Sequence, residues 1–272
     1  MEIFYKNSKD FNFEEIVPKI VYKYRDFNDV NHKKIIQNQE IYLSKSSKFN
    51  CPYEMDVKID REYVKDELNR RKYYQNFLKL SSLYDPEIER LLKEVIITDE
   101  KLTNHENLLK EEYDKMFGVF SMSETYRNKR LWKDFGANKK GFCVGIDFLK
   151  AIPINEGFRG RINYVKREEL PKKKILDIEG IDKYIMSFLD WIFTLPEQYY
   201  EEQEYRFTKT INSDLERFKK ISKESIYEII IGEKMSKTNQ KEIIEMINIY
   251  LPNTKIKKLI YSKIGFKEIV IK

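Results

Sequence analysis

The segment Ile20-Val-Tyr-Lys-Tyr-Arg25 is rich in β-branched and aromatic residues, which is typical of a β-strand. Because the side chains of a strand alternate between its two faces, Lys23 and Arg25 share one face and the two tyrosines share the other. Residues 26–39 then have turn and helix character, and Ile41-Tyr-Leu-Ser44 is a second short strand. The order strand, helix, strand predicts a fold that mixes both kinds of element.

Similar patterns continue to the end of the sequence. Strand character returns at residues 117–123, 141–147, 160–165, 205–208, 225–231, 256–260 and 266–271. Helical spacing of apolar residues is found at 131–135, 181–195 and 239–250, and through the glycine-free stretch 60–115. We therefore predict an α+β fold with mixed and antiparallel small sheets and flanking helices. It forms a single domain over residues 1–272, with a helical insert at 60–115.

The composition excludes several classes of protein. Aromatic residues make up 14% of the 272 residues, too many for a disordered chain. No run approaches the ~18 consecutive apolar residues of a membrane span. The first residues lack the apolar core of an export signal, so we expect a cytoplasmic protein without membrane contact. Cys51 and Cys143 are the only cysteines, which excludes a disulfide scaffold.

The familiar motifs of catalysis are missing from the sequence. There is no phosphate-binding Gly-x-x-x-x-Gly-Lys loop and no Gly-x-Gly-x-x-Gly fingerprint. No Gly-x-Ser-x-Gly elbow supports a serine nucleophile. His32 and His105 are the only histidines, and neither has a neighbouring ligand at metal-binding spacing, so we predict no metal site and interpret both as surface residues.

Two short strands carry candidate binding residues. Lys23 and Arg25 lie on one face of the first strand, and Ser44 and Ser46 lie at and just beyond the end of the second. Each pair also has a purely structural interpretation. The two cations suit the solvated face of an edge strand, where lysine blocks aggregation, and the serines suit turn or cap positions.

The stretch Tyr199–Thr208 carries the candidate catalytic residues. If it is extended, Glu202, Glu204 and Arg206 point the same way. Two carboxylates beside a guanidinium stay ionised, bind a ribose diol and stabilise a developing positive charge. The structural alternative is a surface ion pair worth less than ~1 kcal/mol.

Five blocks of the sequence, taken in order, resemble the bacterial domain-of-unknown-function family 2971. They are Tyr22–Arg25, Ile41–Ser44 with Phe49–Pro52, Phe120–Ser123 with Leu131-Trp132 and Lys140–Gly145, Glu202–Arg206, and Ile229–Gly232. One position departs from the pattern, since the aspartate of the usual Phe-Asn-Asp-Pro is Cys51 here. The resemblance covers most of the chain outside residues 60–115 and implies no activity by itself.

The order of the candidate segments also resembles the three-part site of ADP-ribosyltransferases, which implies a fold like theirs and NAD as substrate. By this resemblance, Lys23 or Arg25 grips the phosphate and ribose of NAD, and Ser44 or Ser46 orients the nicotinamide. Glu204 is then the catalytic carboxylate, Arg206 lies beside it, and Glu202 governs the acceptor. The choice within each of the first two pairs stays open.

The leading hypothesis is an NAD-dependent ADP-ribosyltransferase or NAD glycohydrolase, acting as a cytosolic toxin or phage-defence effector on a protein or nucleic-acid acceptor. The first alternative is a nucleic-acid-binding module or nuclease, which would use the lysine clusters 172–174, 219–220 and 257–258. The second is a non-enzymatic sensor or adaptor that binds a partner through residues 60–115. The formal charge of +6 does not decide among them, because 51 basic and 45 acidic residues are interspersed.

Overall fold

The computed structural model describes residues 17–49, 51–54, 56–69, 86, 90, 98–172, 188–262 and 265–272. The chain divides into two compact units. The first contains residues 1–44, 117–162 and 198–272, and the second contains residues 45–116 and 163–197. Residues 60–115 therefore belong to the second unit. The idea that they are an insert in one domain of 1–272 stays a prediction.

The secondary structure alternates between short strands and helices. The strands are β1 (Ile20–Arg25), β2 (Glu40–Tyr42), β3 (Phe117–Ser123), β4 (Phe142–Asp147), β5 (Phe158–Arg161), β6 (Asn163–Val165), β7 (Thr194–Pro196), β8 (Glu204–Thr210), β9 (Phe218–Lys220), β10 (Ile226–Ile231), β11 (Lys255–Ser262) and β12 (Gly265–Val270). The α-helices are α1 (Val30–Gln37), α2 (Arg61–Lys65), α3 (Asp99–Met116), α4 (Lys129–Asp134), α5 (Phe148–Ala151) and α6 (Lys237–Tyr250). Residues 188–192 are also helical.

An eight-stranded sheet forms the framework of the first unit, in the order β12-β11-β10-β4-β1-β3-β8-β5. It is a mixed sheet, because β10 and β11 run parallel while the other neighbours are antiparallel. Small two-stranded sheets join β2 to β9 in the first unit and β6 to β7 in the second. The predicted α+β class, with flanking helices and mixed and antiparallel strands, is confirmed.

Apolar side chains cover both faces of the large sheet. One face packs in a cluster that includes Val21, Phe120, Val144, Ile35, Ile243 and Ile247, the last three supplied by α1 and α6. The other face packs in a cluster that includes Tyr22, Tyr24, Cys143, Leu131, Trp132 and Leu259. Burial of each large apolar side chain is worth about 1.5–3 kcal/mol, so both faces contribute to stability.

The two helices on the first face begin at side chains that cap them. Asp29 accepts a hydrogen bond from the Asn31 amide at the start of α1, and Ser236 accepts one from the Asn239 amide at the start of α6. Such caps satisfy amides that have no partner within the helix. The cap made by Asp29 thus fixes the residue at which α1 begins after β1.

The second unit has its own contacts around α3. Tyr113 is fully buried and packs against Phe188 and Trp191, with ring centroids 5.2 and 5.8 Å away. The buried Glu106 carboxylate accepts hydrogen bonds from Arg61 at 2.6 Å and from the Ile59 amide at 2.8 Å. Across the described ranges, none of the helices has the length and apolar content needed to cross a bilayer.

Most predicted strands form where the sequence indicates them, but the stretch 160–165 does not form a single strand. It divides into β5 and β6 because the chain changes partners at Ile162. The Ile162 amide donates to the Glu204 carbonyl, and the Asn163 amide donates to the Phe193 carbonyl. Of the helix predicted at 181–195, residues 188–192 are helical and 194–196 form β7, while 181–187 lie outside the described residues.

A carboxylate ties the C-terminal hairpin to the loop after β3. Glu268 on β12 accepts hydrogen bonds from the Tyr126 hydroxyl and from Arg127, both at 2.5 Å, and lies 3.2 Å from the Lys257 ammonium. Burial alone would raise the pKa of Glu268, but these three donors outweigh it and lower the pKa to about 2. The charged form of Glu268 is therefore bound into the fold.

Acid should weaken the interactions of the Glu268 carboxylate within a defined pH range. The pKa of Glu268 falls from 4.5 to about 2 on folding, so its contribution is complete above pH 4.5 and lost as the pH falls toward 2. We expect Glu268→Gln to lower the free energy of unfolding at pH 7 by about 1–2 kcal/mol, and to lower it much less near pH 2. Urea denaturation at both pH values measures this, with the exposed Glu245→Gln as control. An equal loss at both pH values would contradict it.

Candidate functional site

Lys23 and Arg25 lie side by side on one face of β1, and both are half-buried. Because β1 lies between β4 and β3, the interpretation of these cations as the wet face of an edge strand is wrong. Burial, and next the charge of Arg25, lowers the pKa of Lys23 to about 7. Burial lowers the pKa of Arg25 to about 10, and the pKa of His32 on α1 is lowered by burial and then by Arg25. We call Lys23, Arg25 and His32 the basic cluster.

The Lys23 side chain lies along one edge of β3, between two points at which that edge pairs with other parts of the main chain. At one end of this edge β1 pairs with β3 at Ser123. At the other end Ser44 exchanges main-chain hydrogen bonds of 2.8 and 2.9 Å with Val119. Between these points the Lys23 ammonium donates to the Ser121 carbonyl. The fold thus brings Lys23 and the main chain of Ser44 to the same edge of β3.

The register of the sheet separates Glu204 from Lys23 and Arg25. Ser123 pairs with Tyr22 on β1 and with Glu204 on β8, so these three side chains share a face. By the alternation along β1, Lys23 and Arg25 project from the opposite face. The two cations of β1 and the Glu204 carboxylate therefore do not face one common cleft.

Lys23 nevertheless responds to charges on both faces. The Arg206 guanidinium further lowers the pKa of Lys23, while the Glu204 carboxylate opposes that effect. The Lys23 ammonium reaches the main chain of β3, the strand that lies between β1 and β8. It is the residue that links the basic cluster electrostatically to the carboxylates.

Glu204 and Arg206 form a buried ion pair on β8. The two bonds run from Arg206 Nε to Glu204 Oε1 at 2.6 Å and from Nη2 to Oε2 at 2.9 Å. Their side chains are only 7% and 2% exposed, so the interpretation as a surface pair is wrong. Of the three side chains predicted to point the same way, Glu204 and Arg206 share a face through their alternate positions on β8, and Glu202 does not belong to the strand.

Glu202 lies outside the strand, in a 3₁₀ turn that precedes it. The turn is bound to β3 and to the start of α4. The Ser123 hydroxyl donates to the Glu202 carbonyl at 2.7 Å, and Asn128 Nδ2 donates to the Glu201 carbonyl at 2.5 Å. Gln203 has a φ of 43°, a strained left-handed conformation for a residue other than glycine, and it turns the chain into β8. The position of Glu202 is thus held by the fold.

The Glu202 carboxyl combines partial exposure with an altered acidity. Its side chain is 15% exposed, and its Oε1 lies 3.6 Å from Arg130 Nε on α4. Burial, and next the negative charge of Glu204, raises the pKa of Glu202 to about 7, while Arg130 and Arg206 oppose this. A carboxyl with this pKa exchanges a proton readily at neutral pH. We call Glu202, Glu204, Arg206 and Arg130 the carboxylate cluster.

Ser46 belongs to the second unit and has a structural role there. It begins a 3₁₀ turn (Ser46–Lys48), and its hydroxyl donates to Asp114 Oδ1 at 2.7 Å. The Ser47 amide donates to the same oxygen at 3.1 Å. The turn interpretation therefore accounts for Ser46.

Two lysines of the clusters that a nucleic-acid surface would use are engaged by carboxylates. Lys219 contacts both oxygens of Glu156, at 2.9 and 2.8 Å, and Lys257 lies 2.8 Å from Glu228. Residues 173–174 of the first lysine cluster lie outside the described residues. Lysines neutralised in this way contribute little to binding of phosphates.

Arg130 and His32 are two residues of the site that were not among the predicted site residues. Arg130 stands in a polar stretch where nothing marks it, and only the cap made by Asn128 at the start of α4 brings it to Glu202. His32 is half-buried, and its Nδ1 accepts a hydrogen bond from the Asp26 amide at 3.1 Å. The sequence did contain a signal for His32. A helix that begins directly after β1 places its first turn, and with it His32, near Arg25.

Within the described ranges, no group of three or more histidine, cysteine, aspartate or glutamate side chains is placed to hold a metal ion.

Comparison with known proteins gave no match to a family model, a curated protein or a solved structure. The resemblances to family 2971 and to ADP-ribosyltransferases therefore stay predictions.

Proposed function

We propose that the carboxylate cluster cleaves the N-glycosidic bond between nicotinamide and ribose in NAD. The observation that carries this proposal is the Glu202 carboxyl, which is partly exposed and has a pKa raised to about 7. A second carboxylate, Glu204, lies beside it in a buried ion pair. NAD as the substrate rests on the resemblance of the Glu-x-Glu segment to that of ADP-ribosyltransferases.

The reaction needs negative charge more than it needs a strong acid. When the bond to nicotinamide breaks, its electron pair stays on the ring nitrogen, and the pyridinium becomes neutral nicotinamide. The ribose carbon becomes cationic, and carboxylate charge stabilises it in a site of low polarity. Water, or a hydroxyl or amine of an acceptor, then adds to that carbon and gives its proton to Glu202. The second product is ADP-ribose or an ADP-ribosylated acceptor.

The two glutamates have different roles in this proposal. Glu204 is almost fully buried and held by Arg206, so Glu202 is the carboxyl that is exposed to a substrate. Glu204 acts through Glu202, because its charge adds to the effect of burial, which is the larger one, in raising the pKa of Glu202 to about 7. Glu202 is thus the catalytic residue and Glu204 a positioning residue, which reverses the emphasis that the resemblance alone implies.

The test is to incubate the purified chain with NAD and to follow nicotinamide and ADP-ribose by chromatography. Equal amounts of both products indicate a glycohydrolase. Nicotinamide in excess, together with ADP-ribose attached to a component of an added cell lysate, indicates a transferase. A parallel preparation of Glu202→Gln controls for contaminating hydrolases. No nicotinamide release between pH 6 and 8, with or without lysate, would reject the proposal.

A further inference from the structure

The basic cluster has more positive charge than the carboxylates around it neutralise. In the described part of the chain, neither Lys23 nor Arg25 forms a salt bridge, although both are half-buried. Arg25 Nε is buried and has no hydrogen-bond partner there. A buried donor without a partner costs about 1–3 kcal/mol, and more when it is charged. A ligand that supplies the missing acceptor would remove this cost.

The acidic groups near the cluster are already in use. Asp29 caps α1 through the Asn31 amide at 2.8 Å, and its other oxygen lies 3.7 Å from His32 Nε2. Asp26 accepts a hydrogen bond from the Asn28 amide at 2.9 Å. Asp29 does favour the charged form of Arg25, but it does not contact the guanidinium. Among the described residues, Arg25 and Lys23 therefore keep hydrogen-bonding capacity that no salt bridge uses.

We propose that Lys23 and Arg25 bind a phosphate group on the α1 face of the sheet, with His32 beside them. A guanidinium offers paired donors that match phosphate oxygens, and a lysine ammonium adds a compact charge. Lys23 keeps protons available for this, since the Ser121 carbonyl takes only one of them. Phosphate is favoured over a carboxylate because it carries more negative charge and offers more acceptor oxygens to these donors.

This phosphate site is separate from the carboxylate cluster and goes beyond the proposed function. Glu204 projects from the opposite face of the sheet, as its pairing with Ser123 requires. The site would therefore bind inorganic phosphate or a phosphorylated small molecule whether or not the chain cleaves NAD. Failure of either experiment leaves the other proposal standing.

The first test uses the intact protein and the reactivity of Lys23. Limiting acetic anhydride at pH 7 acetylates uncharged amines, and mass spectrometry measures the extent at each lysine. We expect inorganic phosphate to reduce acetylation of Lys23 by about five-fold or more, because it covers the amine and favours its charged form. Lys241 on α6 is 79% exposed and serves as the internal control, which phosphate should leave unchanged.

The second test measures binding by calorimetry with inorganic phosphate and, separately, with ADP-ribose. Arg25→Gln and Lys23→Met should each weaken phosphate binding about ten-fold or more, and Lys241→Gln should not. Arg25→Lys, which keeps the charge but loses Nε, should weaken it as well. Unchanged Lys23 acetylation together with no measurable phosphate binding would overturn the proposal. Binding of ADP-ribose that Arg25→Gln and Lys23→Met leave unchanged, with no binding of inorganic phosphate, would also overturn it, because Lys23 and Arg25 would then hold no phosphate group.

Discussion

Glu202→Gln should reduce the rate of nicotinamide release from NAD by at least about 100-fold, the usual scale for loss of a general base. The amide has nearly the shape of the carboxyl but cannot accept the proton of the attacking water. The change should leave the fold intact, because the main chain of the turn, rather than the side chain, bonds to Ser123 and Asn128. Glu201→Gln, an exposed neighbour in the same turn, is the matched control and should keep full activity.

The dependence of kcat/KM on pH distinguishes the catalytic glutamate from its neighbour. Glu202 works as a base only when ionised, so activity should rise with pH around its pKa of about 7. At pH 6 only about 10% of the enzyme would have this carboxylate. Glu204→Gln removes a charge that raises the pKa of Glu202, so the rise should move to lower pH. Arg130→Gln removes a charge that lowers this pKa, so the rise should move to higher pH.

These opposite shifts are a result that general damage to the fold cannot produce. A lower rate at every pH for both variants, with no movement of the profile, would show that Glu204 and Arg130 act only structurally. Full activity of Glu202→Gln would exclude Glu202 as the base. Loss of activity in Glu204→Gln at every pH, together with an active Glu202→Gln, would return the catalytic role to Glu204.

Alternation along single strands was predictable from the sequence because it is a local property. The pattern of 20–25 places Lys23 and Arg25 opposite the tyrosines, and the structure has this arrangement. The same reasoning places Glu204 and Arg206 on one face of β8. It fails at Glu202 because the positive φ of Gln203 interrupts the extended backbone, so that β8 begins only at Glu204. Nothing in the residue types marks that turn.

The relation between distant strands could not be read from the sequence. Whether Arg25 and Glu204 share a face depends on one pairing, between Tyr22 and Ser123, which sets the register of β1 against β3. A shift of this register by one residue would put the basic and carboxylate clusters on the same face. Such long-range pairing leaves no local signal in composition or spacing.

The buried ion pair between Glu204 and Arg206 on β8 should contribute to the stability of the fold that holds the carboxylate cluster. Arg206→Met should lower the free energy of unfolding by about 3–5 kcal/mol, because it leaves the Glu204 carboxylate buried without its guanidinium. Conversely, Glu204→Met should also destabilise the fold, since Arg206 is 2% exposed and keeps its charge. Urea denaturation monitored by circular dichroism at pH 7 measures both values.

The double variant decides whether this loss comes from the pair or from the packing of each side chain. Replacement of a buried ion pair by apolar residues of similar volume is often neutral, so Glu204→Met with Arg206→Met should be much less destabilised than the sum of the single changes. We expect a coupling of about 1–3 kcal/mol. Additive losses would mean that the two charges do not stabilise each other and that each single loss comes from the packing of that side chain. A double variant that is stable but inactive would show that the pair is retained for the acidity of Glu202 rather than for folding.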